Sequence, residues 1–532
     1  MLKLNPSEHY VAKNSLSQVP CFLAAPIVAG LLWGCTSAPQ VQAPSAPDAV
    51  TVAVPPDTAL KVVNRVTWGL NASTAKHVEK VGLNAYLNEQ LSPVGSLPTL
   101  IAQQIAALTI SQQSTVDLVQ LMEQKRKDSD AVKDDAEKKA AQQAYQVELN
   151  RIAREAAARS LLRAVYSPNQ LEENLVWFWM NHFNVHQGKA NNRVLIGDYE
   201  ERAIRPHVLG KFRDLVAATL HHPAMIRYLD NEQNAVNRIN ENYAREIIEL
   251  HTLGVNGGYS QTDVQELARV LTGVGINLGT TAPNVKSELK SQYVRSGLWE
   301  FNPMRHDYGD KVFLGETVKG RGIAELDQVI DRICNHPATA RFVSTKLARY
   351  FVSDDPPAGL IDRMAASFSH GGGDIKATLR MLFAAPEFMQ SLGSKFKDPA
   401  HYVVSAVRLA YDDKVFLNTG PMLSWLNRMA EPLYGRQTPD GYSLNESAWA
   451  SPGQMSTRFE IAKAIGSGSA GLFKTDGPQP TEKAAFPQLA NALYFHSLEK
   501  QLSVATKHAL EQAGSPQEWN AFLLSSPELM HR

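Results

Sequence analysis

Apolar residues recur three and four positions apart through most of the chain from Leu60 onward, and strict alternation is rare. That period predicts a mainly α-helical protein: a large multi-helix globular array with at most a small β-hairpin. The hairpin falls at 311-KVFLG-315, a short alternating run. The stretch 116–167 contains neither Pro nor Gly and is charge-dense from Glu123 to Lys139, which predicts a solvated helix face or an exposed helical hairpin. Pro223, Pro337, Pro386 and Pro527 each stand before an apolar period, as Pro does in the first turn of a helix. Asp374 is placed to cap a helix over 375–388, and Thr262 with Gln265 fits a capping box.

Two stretches depart from ordinary amphipathicity. On a wheel of roughly 100° per residue, the apolar side chains of 172-EENLVWFWMNHFNVH-186 cover nearly the whole circle. Such a helix belongs inside a large protein, so Asn174, Asn181, His182 and His186 sit where water is scarce. The two histidines are four apart and share a face if the helix continues, a spacing that can hold a metal; paired structural histidines are the other reading. The second stretch is 240-NENYAREIIELHTLGV-255. Its wheel puts Glu241, Asn242, Arg245, Glu246, Glu249 and Thr252 on one polar side. His251 lies among the apolar residues and is expected to be the buried polar group. Glu266 and Arg269 pair one turn apart on the next helix, and 305-RHDYGDKVFLG-315 gathers His306, Asp307, Asp310 and Lys311 in a turn-rich segment.

The 532 residues carry 53 basic and 53 acidic side chains and 44% hydrophobic residues. That composition fills a sizeable core and leaves no field or basic block to gather nucleic acid. At the N-terminus, Lys3 and Lys13 precede the apolar run 22-FLAAPIVAGLLW-33, which suits a signal-peptide core and is too short to span a bilayer. It leads into 32-LWGC-35, which reads as a lipobox with Cys35 as the lipidated residue. A plain signal peptide or an uncleaved anchor are the alternatives. Thr36 follows the Cys where no Asp stands, which in a Gram-negative cell favours the outer membrane. The chain therefore divides into a lipoprotein signal over 1–34, an Ala/Pro-rich tether over 35–59 and a helical body over 60–532. Cys334 is then left as a lone thiol near a helix end, expected to be buried. The run 466-GSGSAG-471 reads as a flexible linker. The loop 370-HGGGD-374 is similar to a lipase oxyanion loop, but no G-x-S-x-G accompanies it; Walker, dinucleotide, H-E-x-x-H and C-x-x-C motifs are also missing from the chain.

The segments 177-WFWMNHFNV-185, 222-HPAMIRYLDN-231, 240-NENYAREIIELHTLGV-255, 306-HDYGDKVFLG-315 and 433-LYGRQTPDGYSLNESAWASPGQMSTR-458 follow in order and together resemble the bacterial family called domain of unknown function 1800. The family pattern has Trp after 272-TG-273, where Val274 stands here. The resemblance implies a secreted or envelope protein, largely helical, without fixing an activity. It also implies a partner, a secreted protein of the family called domain of unknown function 1501. Two functions stay open. One is an envelope hydrolase whose polymer-cleaving site is assisted by a divalent metal on His182, His186, His251 and His306, with Glu249, Arg245 and Asp307 in catalytic roles. The other is a non-catalytic helical factor that binds or positions another secreted protein.

Overall fold

The computed structural model describes residues 54–474 and 486–532. The segments expected to be a lipoprotein signal and a tether, with Cys35, lie outside the described residues except for 54–59. The first helix, Pro56–Val66, starts slightly earlier than the tether boundary suggests. From there the fold is a helical array, as the apolar period predicts. Its charged hairpin is Thr115–Ala131 and Asp135–Tyr166, capped by Ser114 and Asp134, whose side chains accept the Asp117 and Glu137 amides. Pro223, Pro337 and Pro386 open helices at their first residue, and Pro527 opens a short 3-10 turn. Asp374 caps Ile375–Phe383 by accepting the Ala377 amide.

Sheet structure exceeds the single hairpin expected. Lys311–Phe313 and Glu316–Val318 do form that hairpin, with Leu314 and Gly315 both at positive φ as a tight two-residue turn requires. A separate three-stranded antiparallel sheet places Trp299–Phe301 between Val274–Ile276 and Val294–Ser296. Its strands have three residues each, too few to leave an alternating signature. Val274, where the family has Trp, is fully buried and registers with Phe301, so the aromatic contact comes from across the sheet.

Other details differ from the sequence reading. The capping box on Gln261–Val270 is Ser260 with Asp263, two residues earlier than Thr262 and Gln265, because Ser260 is the last extended residue before the helix. Gly466 ends the helix Pro452–Gly466 and is not part of a linker. A Cβ there would stand 2.9 Å from the Ala521 amide nitrogen, so Gly466 lets this helix approach Pro516–Leu524 closely. Cys334 ends Ala324–Cys334 and is buried, and desolvation drives its thiol far above the ordinary range. Among the described residues no helix is long and apolar enough to cross a membrane.

Candidate functional site

The helix rich in tryptophan runs from Gln170 to His182 and stops there. Asn174, Phe178, Trp179 and His182 are all buried, as an all-round apolar helix requires. The early stop separates the two histidines that the spacing placed on one face. His186 lies past the helix end, in a surface depression of about 700 Å³ that Arg193 and Asn427 also line. His182 instead packs edge-on to Phe183, with ring centres 4.5 Å apart, and lies near Phe342 at 6.1 Å and His251 at 6.2 Å.

The segment 240–255 is not one regular helix. Asn242–Glu246 is α-helical and Ile247–Thr252 is a π-helical turn. Widening the turn rotates the side chains away from the α-helical wheel. Thr252, expected on the polar side, is fully buried and donates to the Ile247 carbonyl at 2.6 Å. His251 is buried, as expected, with its ring 5.0 Å from Phe183. His182 Nε2 lies 2.9 Å from the His251 carbonyl and serves as its donor. His182 Nδ1 and His251 Nε2 are buried without any hydrogen-bond partner. Desolvation, reinforced by the Lys346 charge, keeps both imidazoles neutral and brings His251 down to about 3.

The segment that holds His251 also carries a polar rim. Arg245 bridges Glu241 and Glu249, at 3.1 Å to each. Glu246, half-buried between them in sequence, makes no hydrogen bond to a described residue. Burial first, then the neighbouring charges of Glu249 and Asp440, raise its pKa against the pull of Arg245. Lys346, from the helix Pro337–Phe351, has its pKa lowered to about 8 by burial, which the Asp440 charge only partly offsets. Its ammonium lies 5.6 Å from the centre of the Phe342 ring. Phe342 in turn sits against Gly254, whose φ of +83° and lack of Cβ let the ring approach. Glu246 and Lys346 both feel the Asp440 charge, and shifted titratable groups of this kind concentrate at functional sites.

Asp440 reaches this place from far along the chain. The loop 436–442 is held against the end of the tryptophan-rich helix by two asparagines. Asn181 donates to the Tyr442 carbonyl at 2.9 Å and accepts the Tyr442 amide at 2.6 Å. Asn184 donates to the Arg436 and Thr438 carbonyls at 3.0 and 2.9 Å. Gly441, at φ +77°, passes so close that a Cβ would lie 2.2 Å from the Asn181 carbonyl. Four segments distant in sequence therefore contribute to this place. Those holding His182, Glu249 and Asp440 coincide with motifs that carried the family resemblance, and the helix holding Lys346 does not. The chain belongs to the DUF1800 family. That family, described as protein of unknown function, matches residues 61–531. No curated protein and no solved structure matches the chain.

The remaining predicted residues fall elsewhere. His306 is buried in its own network, with Nδ1 2.8 Å from the Thr272 carbonyl and Nε2 3.0 Å from Glu325 Oε1. Lys311 donates to the other Glu325 oxygen at 2.6 Å. Asp307 receives a two-pronged bond from Arg269, at 2.8 and 3.2 Å, and the Gly309 amide at 2.8 Å. Burial raises its pKa, but those hydrogen bonds outweigh it and hold the carboxyl below the usual range. Glu266 pairs with Arg269 at 2.9 Å, as its spacing predicts. These groups brace the loop 305–325.

The four-histidine metal set is thus dispersed: His182 and His251 meet, His186 is on the surface and His306 is in a separate core. Two imidazoles are too few donors for a catalytic metal site. Among the described residues no group of three or more His, Cys, Asp or Glu is arranged to hold a metal ion. Sequence reasoning placed Glu249 and Arg245 at this site and missed Glu246, Lys346 and Asp440. The 439-PDG-441 turn, a signal for a tight loop, pointed to Asp440 without giving its destination.

Proposed function

We propose that the protein is a cell-envelope lipoprotein, held at the outer membrane through Cys35, that hydrolyses glycosidic bonds in an envelope or extracellular polymer. The observation that carries this reading is Glu246: half-buried, without a hydrogen-bond partner, and raised in pKa by burial and by Glu249 and Asp440. A carboxyl whose burial holds its proton above the ordinary carboxylate range serves as a general acid for the departing sugar oxygen. Glu249, beside it on the same turn, is the carboxylate that activates water, and Arg245 orients it through their 3.1 Å contact. No metal enters this scheme.

The test is release of reducing ends from isolated cell-wall material and from a panel of soluble polysaccharides. Glu246→Gln is expected to lower turnover by about 100-fold or more, as removal of a general acid does. Its thermal unfolding midpoint should stay near the parent value, since the side chain holds no partner. Activity should fall as pH rises through the elevated pKa of Glu246. Undiminished activity in Glu246→Gln, or no cleavage of any polymer by the parent protein, overturns the reading.

The alternative is a non-catalytic factor for another secreted protein. It is favoured by the near-complete burial of His182 and His251, which keeps both rings out of reach of a substrate. In that case, cross-linking in intact envelopes would capture a stable partner, such as a secreted protein of the family called domain of unknown function 1501, and no polymer would be cleaved.

A further inference from the structure

A second site lies well apart in sequence from the acidic rim and is independent of the function proposed above. Lys397 precedes the helix Pro399–Tyr411 and its main chain is pinned on both sides. Its amide donates to the Met530 carbonyl at 2.8 Å, and its carbonyl accepts Arg458 Nη2 at 2.7 Å. The side chain is 95% buried, with 5% of its surface exposed. Its ammonium makes no hydrogen bond or ion pair with a described residue. Other buried cations in this region have partners: Lys395 binds Asp354 and the Leu444 carbonyl, and Arg532 donates to the Tyr350 carbonyl at 3.1 Å. Lys397 instead lines a cavity of about 60 Å³, whose wall combines leucines such as Leu70, Leu409, Leu502 and Leu524 with the polar Asn64, Ser405 and Gln501. That is room for roughly four water molecules, or for an organic compound of four or five heavy atoms. Desolvation, followed by the nearby charges of Arg532 and Arg458, lowers the Lys397 pKa to about 7. Lys61, Tyr402, Glu528 and His531 are the other titratable groups on the cavity wall, and burial raises the Tyr402 phenol. Glu528 is already engaged by the Ser503 amide at 2.8 Å and by Thr506 at 2.9 Å.

We infer that Lys397 is an amine nucleophile that takes a short aliphatic aldehyde or ketone from this cavity as an imine. A lysine desolvated among apolar side chains and beside other cations is the arrangement that activates an amine for this chemistry. The nitrogen lone pair of the neutral amine attacks the carbonyl carbon, and the carbonyl π electrons move to oxygen. Oxygen takes up a proton as nitrogen loses one through water, giving a carbinolamine. The hydroxyl then departs as water, and the balance is one amine and one carbonyl compound to one imine and one water. The leucines on the wall accept the alkyl chain. A carboxylate ligand would need a second donor close to the ammonium, and the buried hydroxyls on the wall, Tyr402 and Ser405, already donate to the Arg458 and Tyr402 carbonyls.

The experiment is reductive trapping on the full-length protein. The protein is incubated at pH 7 with propanal and cyanoborohydride, and propylated lysines are mapped by mass spectrometry at short times. Lys397 is expected to be labelled at least tenfold faster than the exposed Lys76 and Lys127. The difference should vanish in guanidinium chloride, where only sequence remains. Lys397→Arg should remove the fast phase and leave labelling of Lys76 and Lys127 unchanged. Labelling of native Lys397 at or below the rate of the exposed lysines overturns the inference, and mapping of the parent protein decides this even if Lys397→Arg fails to fold.

Discussion

Burial sets the chemistry of single residues here, and His251 shows the consequence in measurable form. Its imidazole titrates near 6.5 when solvated and near 3 in the folded protein. Between those values the unfolded chain holds a proton that the folded one does not, so this residue's contribution falls as pH drops from 6.5 toward 3. Above pH 6.5 it costs nothing electrostatically, although its unpartnered ring nitrogen still does. His251→Phe keeps an aromatic ring against Phe183 and removes both penalties. It should stabilise the protein relative to the parent by about 2 kcal/mol more at pH 5 than at pH 7, as read from denaturant unfolding at the two pH values. An equal effect at both would mean that His251 is solvated or already paired. The burial of His251 was legible in the sequence because its position falls on the apolar side of the wheel. Lys346 and Lys397 were not legible, because a lysine in sequence carries no mark of whether its ammonium reaches water.

At the scale of elements, the site depends on irregularities that a fixed helical period cannot express. The tryptophan-rich helix ends at His182, four residues before the second histidine of the apparent metal pair. The π turn at Ile247–Thr252 buries Thr252 and sets Glu246 at the junction of two helix types. Hydrophobic pattern predicts that these segments are helices; it does not report where one stops or where a turn widens, since one residue more or less costs little in apolar burial. Docking of the loop 436–442 is the third irregularity, and Gly441 controls it. An added methyl would meet the Asn181 carbonyl at 2.2 Å while forcing a β-carbon onto a φ of +77°. Strain and overpacking together should cost Gly441→Ala about 3 kcal/mol. The loss should be local first, with faster amide exchange across 436–442 and reduced influence of Asp440 on Glu246. An unchanged exchange pattern would mean that the loop is held by something other than the two asparagines and the bare Gly441 backbone.

Across the whole molecule, the array is closed by buried arginines that reach between distant parts of the chain. Arg205 gathers Glu173 at 2.6 Å, Glu201 at 3.0 Å and Glu200 at 3.1 Å, joining the tryptophan-rich helix to the segment that follows it. Arg65, in the first helix and fully buried, donates to the Phe351 carbonyl at 2.6 Å and the Arg532 carbonyl at 2.5 Å, and also binds the Ser391 hydroxyl at 2.9 Å. It thereby ties residues 286 and 467 positions away to the start of the body. The helical class of the protein is legible from local periodicity alone, whereas these closures are not, because nothing near Arg65 in sequence indicates partners so far along the chain. Their weight can be compared with that of an arginine on the surface. Arg126 makes two ion pairs along the exposed hairpin, at 3.2 and 3.0 Å, which solvent screens. Arg126→Met should cost less than about 1 kcal/mol. Arg65→Met leaves several buried carbonyls without donors and should cost about 3–5 kcal/mol. Denaturant unfolding of the two variants checks this. If the first helix acts as the clasp of the array, the Arg65 variant should also expose the 345–352 and 391–395 segments to proteolysis before global unfolding, while Arg126→Met should not. Equal losses in the two variants would place the stability of the array in its apolar core alone.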